Sequence, residues 1–180
     1  GEIPPEIGNL VNINTLHISN NKISGEIPSE ISELINLRYL DLSLNGLSGN
    51  VPDIFEDLTN LWSIDLGTNN LSGVLPNSLW TLNEGLYALT LRDNQFNIPF
   101  PSQIINLTNL HHFRMADNAL YGQIPHEICD MAIDYFNEPN WWNVSNNNLC
   151  ETFQNVDGYM EPVIVYPECI QDYMSTQNCD

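Results

Sequence analysis

One pattern of apolar residues recurs along this chain every 24 or 25 residues. Each copy opens with an apolar residue, continues with two more that flank a polar one, and then places an asparagine three positions on. The opening residues are Ile13, Leu37, Leu61, Leu86 and Leu110. A sixth, degenerate copy contains Trp142, Val144, Asn147 and Leu149. Self-similarity at a fixed period of this length predicts a solenoid, in which each repeat packs only against its neighbours.

The best copy reads Leu40-Asp41-Leu42, then Asn45, Leu47, Gly49 and Val51-Pro52. This order resembles the leucine-rich repeat, and the Gly-x-Ile-Pro after the asparagine is similar to the plant-type subclass of plant receptor-like ectodomains. The resemblance covers roughly residues 1–150. It implies an α/β-type solenoid, a horseshoe with a parallel concave β-sheet of about six strands and a disulfide-bearing C-terminal cap.

The residue types fit this architecture position by position. Alternating leucines and polar residues predict a short, half-buried strand in every coil. An asparagine column should point inward and hydrogen-bond the backbone of adjoining coils: Asn21, Asn45, Asn69, Asn94, Asn118 and Asn147. Glycines such as Gly49 permit a tight bend. We expect Asn97 to take the glycine position in the fourth coil, at positive φ and with a mild distortion.

The last third of the chain differs from the rest. All four cysteines lie there, namely Cys129, Cys150, Cys169 and Cys179. An even, clustered count predicts a disulfide-tied cap formed in an oxidising compartment, with a metal site or free thiols as alternatives and the pairing left open. The chain accordingly divides into repeats at 1–128 and a degenerate last repeat plus cap at 129–180. Because Gly1 aligns with Gly25, we expect a fragment that opens mid-repeat; a half coil that caps itself is the alternative.

The charge excludes some partners. The chain carries 23 acidic and 4 basic residues, for a net charge of -19. Such a surface repels nucleic acid and anionic membranes. No apolar run has the length of a membrane span, so we expect no direct membrane insertion by this segment. The acidity also fits simple solubility in salty surroundings.

A candidate binding face follows from the register of the copies. The exposed positions of the predicted sheet hold three of the four basic residues and several large rings. Exposed aromatics beside arginine favour contact with peptides or sugars, although strands favour aromatics anywhere. Asp41 and Asp65 should lie side by side, and we expect Arg38, Arg114 or His17 to neutralise the repulsion between their charges. Two carboxylates supply too few oxygen ligands for a Ca²⁺ site. The predicted ligand-binding residues are Arg38, Tyr39, Asp41, Trp62, Asp65, Tyr87, Arg92, His111, His112 and Arg114.

No sequence motif indicates catalysis, a metal or a cofactor, since GxSxG, HExxH, GxGxxG and GxxxxGK[ST] are all absent. The resemblance implies a non-catalytic extracellular interaction module, secreted or at the cell surface, that binds a protein, peptide or glycan on the concave face. The alternatives are the ligand-binding portion of a receptor-like kinase, ice binding and a structural spacer. The run Asn146-Asn147-Asn148-Leu149-Cys150 also resembles tails of secreted bacterial relatives, so the source stays open. Asn70, Asn106 and Asn143 begin Asn-x-Ser/Thr sequons, which matter in a eukaryote.

Overall fold

A computed structural model describes residues 1–133 and 142–149, together with the backbone of 152–156 and 159–163. The strands are β1 Thr15–His17, β2 Ser24–Gly25, β3 Tyr39–Asp41, β4 Gly46–Asn50, β5 Ser63–Asp65, β6 Asn70–Ser72, β7 Ala88–Thr90, β8 His112–Arg114, β9 Trp142–Asn143, β10 Thr152–Val156 and β11 Tyr159–Val163. Five 3-10 helices lie among them in the described residues: η1 Pro5–Asn9, η2 Ser29–Glu33, η3 Asn77–Thr81, η4 Ser102–Asn106 and η5 His126–Asp130.

The main sheet is parallel and contains one strand from each copy of the repeat. Its order is β1-β3-β5-β7-β8-β9, which confirms the predicted six strands. The second apolar residues of the copies align in a single row: Leu16, Leu40, Ile64, Leu89, Phe113 and Trp142. A second parallel sheet, β2-β4-β6, covers only the first three coils, and β10 pairs with β11 as an antiparallel hairpin.

The core lies between the main sheet and the 3-10 helices. Leu40 in β3 and Leu42 just after it are buried from one side, and Ile31 in η2 and Leu34 just after it are buried from the other. A proline occupies the position before η2 and η3, where its fixed φ suits entry into a helix. The alternation of buried and exposed residues along each strand therefore leaves one side of the main sheet facing solvent. We call this side the sheet face.

The asparagine column links each coil to the coil before it. Asn69 Nδ2 donates to the carbonyls of Leu42, Leu66 and Gly67 at 3.1 to 3.3 Å, and its Oδ1 accepts the Leu47 N–H at 3.0 Å. The other column members from Asn45 onward make the same bridge. Asn21, in the first coil, is exposed and bonds only carbonyls of its own coil. The predicted role of the column is confirmed from Asn45 onward and is wrong for Asn21, which does not bridge to an adjoining coil.

The turns show one correction to the sequence-based expectation. Gly25, Gly49, Gly73 and Gly122 adopt φ between 72° and 84°, but Asn97 does not adopt a positive φ. Counted from Asn94 as in the other coils, the glycine position falls on Ile98, which has no positive φ either. A β-branched side chain disfavours the left-handed region, so this coil takes another path. The second sheet accordingly ends at β6, and a single bridge joins Pro99 to Tyr121.

The C-terminal region is described only in part. Cys129, at the exposed surface of η5, is disulfide-bonded. Cys150, Cys169 and Cys179 lie outside the described residues. The pairing and the cap therefore stay predictions. Among the described residues, no helix has the length and hydropathy needed to cross a bilayer.

Candidate ligand-binding face

Four aromatic rings, each at the first residue of a strand of the main sheet or just before it, touch one another in a row across β3, β5, β7 and β8. Tyr39 meets Trp62 edge-on at 5.7 Å between centroids. Trp62 and Tyr87 stack at 4.6 Å with an interplanar angle of 3°. Tyr87 and His111 stack at 4.5 Å and 19°. We call these four residues the aromatic strip. Their side chains project from the sheet face at its strand entrances, which leaves Tyr39 40% and Trp62 37% exposed.

Further side chains flank the aromatic strip. The Arg38 guanidinium carbon lies 6.0 Å from the centroid of the Tyr39 ring, within the range of a cation–π contact. His112 lies 5.2 Å from Tyr87, with its ring tilted by 49°. His111 Nδ1 lies 2.8 Å from the carbonyl oxygen of Asn109, which fixes the orientation of the last ring of the strip. The strip is thus held by contacts of its own members before any ligand arrives.

A charged row runs beside the aromatic strip at the ends of the strands. The register places His17, Asp41, Asp65, Thr90 and Arg114 side by side on consecutive strands. Asp41 and Asp65 are adjacent, as the sequence predicts. Of the three expected neutralising groups, His17 lies 3.3 Å from Asp41, between its Nε2 and Oδ2. Arg38 instead lies by Tyr39, while the charges of Arg92 and Arg114 act on Asp65.

The two carboxylates have opposite pKa shifts. Burial alone would raise the pKa of Asp41, but hydrogen bonds from the hydroxyl and the backbone N–H of Ser43 outweigh it, and Ser19 and His17 add to the lowering. Burial raises the pKa of Asp65 above its ordinary value. The Gly67 N–H, 2.9 Å away, and the two arginines lower it only in part, since the charge of Asp41 raises it further. At neutral pH the ionised form of Asp65 is therefore less well stabilised by its surroundings than that of Asp41.

Comparisons with known proteins identify the repeat. A family model described as Leucine Rich Repeat matches residues 12–34, 36–58 and 60–82. The ectodomain of the receptor kinase SOBIR1 from Arabidopsis thaliana is 37% identical, with a TM-score of 0.63, over 69% of this chain and 67% of that one. The chain is a leucine-rich repeat protein of the plant type. The comparison with curated protein sequences gives no match.

Two longer leucine-rich repeat ectodomains are similar over more of the chain. That of GASSHO1/SCHENGEN3 from Arabidopsis thaliana, in complex with CASPARIAN STRIP INTEGRITY FACTOR 2, is 29% identical over 98% of this chain, with a TM-score of 0.79. The plant peptide hormone receptor RGFR1, in complex with RGF2, is 32% identical over 93%, with a TM-score of 0.74. This chain spans 19% and 26% of the two receptors.

The leucine-rich repeat register brings all ten predicted ligand-binding residues to the main sheet or to the residues next to its strands. The repeat pattern does not predict the mutual stacking in the aromatic strip. It does show that Trp62 and Tyr87 stand at equivalent positions of neighbouring repeats, one position earlier than Tyr39 in its own repeat. The structural use of Asp41 and Asp65 was also missed. Each accepts a hydrogen bond from the backbone two residues on, and Asn143 does the same with Ser145. The recurrence of Asp, Asp and Asn in one column is the signal that points to this turn.

Among the residues that the structure describes, no group of three or more His, Cys, Asp or Glu side chains is placed to hold a metal ion. The chemistry that the sheet face offers is instead ring edges, arginine charge and hydrogen-bonding groups.

Proposed function

We propose that this chain is a non-catalytic extracellular interaction module that binds its ligand on the sheet face. The observation that carries the proposal is the aromatic strip. Large rings with two rotatable bonds supply contact area at low entropic cost, and they are enriched among the residues that dominate binding energy. The strip is already ordered by its own stacking, so little ordering is left to occur on binding. The ten predicted ligand-binding residues are our proposed site.

The geometry of the strip favours a polypeptide over a glycan. A sugar binds an aromatic side chain by lying flat on its face. Both faces of Tyr87 are covered, one by Trp62 and the other by His111, and Trp62 is covered by Tyr87 and by the edge contact of Tyr39. The strip thus presents ring edges, which carry partial positive charge and suit carbonyl oxygens and aliphatic side chains. Its four strands span about 15 Å, the length of about four extended residues.

The similar structures support a peptide ligand. GASSHO1/SCHENGEN3 and RGFR1 were solved as complexes with CASPARIAN STRIP INTEGRITY FACTOR 2 and RGF2, respectively. The alternative form of our proposal is that this chain is a portion of the ectodomain of a receptor-like kinase, because several similar structures are such ectodomains. Both forms place the chain outside the cell, and both use the sheet face.

The test is a peptide and glycan array probed with the chain and with the triple variant Tyr39→Ala, Trp62→Ala, Tyr87→Ala. We expect peptide signals that weaken by about tenfold or more in the triple variant, equivalent to ~1.4 kcal/mol. The matched control is Tyr121→Ala, which removes a ring that is 46% exposed and lies away from the main sheet. It should bind as the native chain does.

Other results would contradict the proposal. Binding that survives in the triple variant but is lost in Tyr121→Ala would move the site off the sheet face. Signals from glycans alone would contradict the preference for a polypeptide. An absence of binding to either class would favour a spacer role.

A further inference from the structure

Three sequons for N-linked glycosylation lie in the described residues, and each has the same burial pattern. The asparagine is exposed while the residue after it is fully buried in the core. The sequons are Asn70-Leu71-Ser72, Asn106-Leu107-Thr108 and Asn143-Val144-Ser145. The repeat therefore presents every one of these asparagines to solvent, and their surroundings decide what an attached sugar would meet.

Asn106 lies on the outer side of the solenoid, away from the main sheet. It is the last residue of η4. The last residues of η2 and η5, Glu33 and Asp130, occupy the same place in their coils and are exposed as well. Coil after coil, this position carries a polar group that points into water. A bulky substituent at Asn106 would displace nothing from the core.

The side chain of Asn106 makes no hydrogen bond with any residue that the structure describes. The other two sequon asparagines are engaged. Asn70 Oδ1 accepts from Gln95 Nε2 at 3.3 Å, and Asn143 Oδ1 accepts from the N–H and the hydroxyl of Ser145 at 3.0 and 2.7 Å. Asn143 also stands next to Arg114 in the main sheet, so a sugar there would crowd the sheet face. Of the three asparagines, Asn106 is the one whose modification breaks no side-chain hydrogen bond among the described residues and leaves the sheet face open.

The surface around Asn106 also contains partly exposed apolar side chains that an attached sugar would cover. Ile105 is 36% exposed, and Met131 is half-buried. An open cavity of about 350 Å³ is lined by Ile105, Asn106, Thr108, Glu127, Asp130 and Met131. A first sugar residue on Asn106 would lie over this cavity, where its apolar face removes Ile105 from water and its hydroxyls meet the two carboxylates.

We propose that Asn106 is a site of N-linked glycosylation. The inference rests on the extracellular location in our proposed function and on a eukaryotic source, in which these sequons are used. In the transfer, C1 of an oligosaccharide leaves a polyprenyl-diphosphate donor and bonds to Asn106 Nδ2, which loses a proton, while the diphosphate departs with the electron pair of the broken C1–O bond. The glycan then stands on the outer side of the solenoid and leaves the aromatic strip open.

The test uses the chain secreted from eukaryotic cells behind a secretion leader, with an Asn-Gly-Thr tag at its C-terminus as an internal reference. Enzymatic release of N-glycans in ¹⁸O-water, followed by peptide mass spectrometry, marks each formerly glycosylated asparagine as heavy aspartate. We expect the label at Asn106 and at the tag. Thr108→Ser keeps the sequon and should keep the label. Thr108→Ala and Asn106→Gln should lose it at position 106 while the tag stays labelled.

Recovery of unlabelled Asn106 from molecules whose tag is labelled would overturn the inference. That result is separate from a failure of the proposed function, which is measured as peptide binding by the strip variants. If Asn106 is glycosylated as we infer, the Thr108→Ser and Thr108→Ala proteins should also bind peptide equally, because the sugar lies away from the sheet face. A difference in peptide affinity between these two would contradict the outward placement of the glycan.

Discussion

The side chains of the sheet face divide into those that are free to meet a ligand and those that hold the backbone. Tyr39 and Trp62 contact mainly other rings and keep more than a third of their surface exposed. Asp41 and Asp65 are tied to the turns that follow their strands. A carboxylate of the second kind changes stability, in either direction, as well as any binding, and its charge state is therefore measurable without a ligand.

Asp65→Asn should stabilise the protein at neutral pH. The pKa of Asp65 is raised from 3.8 by burial and by Asp41, so its ionised form destabilises the native state. This penalty is fully present above the raised pKa, declines as the pH falls through it, and disappears below 3.8, where the unfolded chain is protonated too. An asparagine keeps an oxygen for the Gly67 N–H. Thermal unfolding at several pH values should show a higher Tm for the variant at pH 7 and a vanishing difference near pH 3.

Asp53→Asn is the matched control because its shift has the opposite sign. Hydrogen bonds from the hydroxyl and the backbone N–H of Ser78 hold the pKa of Asp53 below its ordinary value. Its carboxylate therefore stabilises the native state at neutral pH, and this contribution is lost as the pH falls through the lowered pKa. The control should unfold at a lower temperature than the native chain at pH 7. Equal shifts in both variants would show that net charge, not the local contacts, controls the response.

Trp62→Ala and Leu66→Ala should differ in their effect on the free energy of unfolding. Leu66 is 1% exposed, and truncating it leaves a cavity, with a cost of about 2 to 5 kcal/mol. Trp62 loses only stacking on an open surface, at about 1 kcal/mol. Urea unfolding followed by circular dichroism measures both. A larger loss for Trp62→Ala would mean that this ring is part of the core.

At the scale of the coil, the asparagine column supplies hydrogen bonds to backbone groups in the turns that follow the strands of the main sheet. The turn after each strand contains carbonyls and N–H groups that the side-chain amide of an asparagine can reach from within the coil. Asn69 satisfies three carbonyls and one N–H from two coils with a single amide. An unsatisfied buried polar group costs about 1 to 3 kcal/mol, so each column member from Asn45 onward stabilises its own coil and the contact with the preceding one.

Asn69→Leu should therefore be far more destabilising than Asn21→Leu. The first leaves the Leu47 N–H and the Leu42 carbonyl without their partner, and we expect a loss of about 3 kcal/mol or more. Asn21 is exposed and bonds only the carbonyls of Ile18 and Ser19, which water can reach. Its replacement should cost about 1 kcal/mol. Similar losses in the two variants, measured by chemical denaturation, would argue against the bridging role of the column.

The sequence predicts these elements well where one residue type performs one job in every coil. The row Leu40, Ile64 and Leu89 fixes which residues face the core, and the asparagine column fixes the turn. The sequence predicts the local structure poorly where one coil differs from the others. Ile98 diverts the fourth coil because it cannot adopt the left-handed φ of Gly73, a consequence that depends on what the neighbouring coil permits. The parallel stacking of Trp62 on Tyr87 depends on rotamers, which no repeat pattern encodes.

For the whole molecule, contacts run almost entirely between neighbouring coils. The six strands pair in order along the chain, and the asparagines bridge only adjacent turns. In such a quasi-one-dimensional array, stability is close to a sum of coil and interface contributions, and the ends open before the middle. The interior of the array is buried on both sides by like coils. The coil that contains β9 is instead followed in the sequence by the segment that contains the remaining cysteines.

Reduction of the disulfides should loosen the C-terminal end of the array first. Cys129 follows the buried Ile128 in η5 and is disulfide-bonded, so its bond restrains the coil that leads to β9. We expect faster amide hydrogen exchange after reduction at Met115, whose N–H donates to the Asn143 carbonyl, and at Leu120, whose N–H donates to Asn147. Leu42 is the internal control: its N–H donates to the Asp65 carbonyl in the same way, it lies three coils before Met115, and its exchange rate should not change.

Mass spectrometry or NMR of the oxidised and reduced chains would resolve these sites. Equal exchange in both states would show that the disulfide restrains nothing in the array. Faster exchange at Leu42 as well would mean that the solenoid opens as a single unit and that the nearest-neighbour description is wrong.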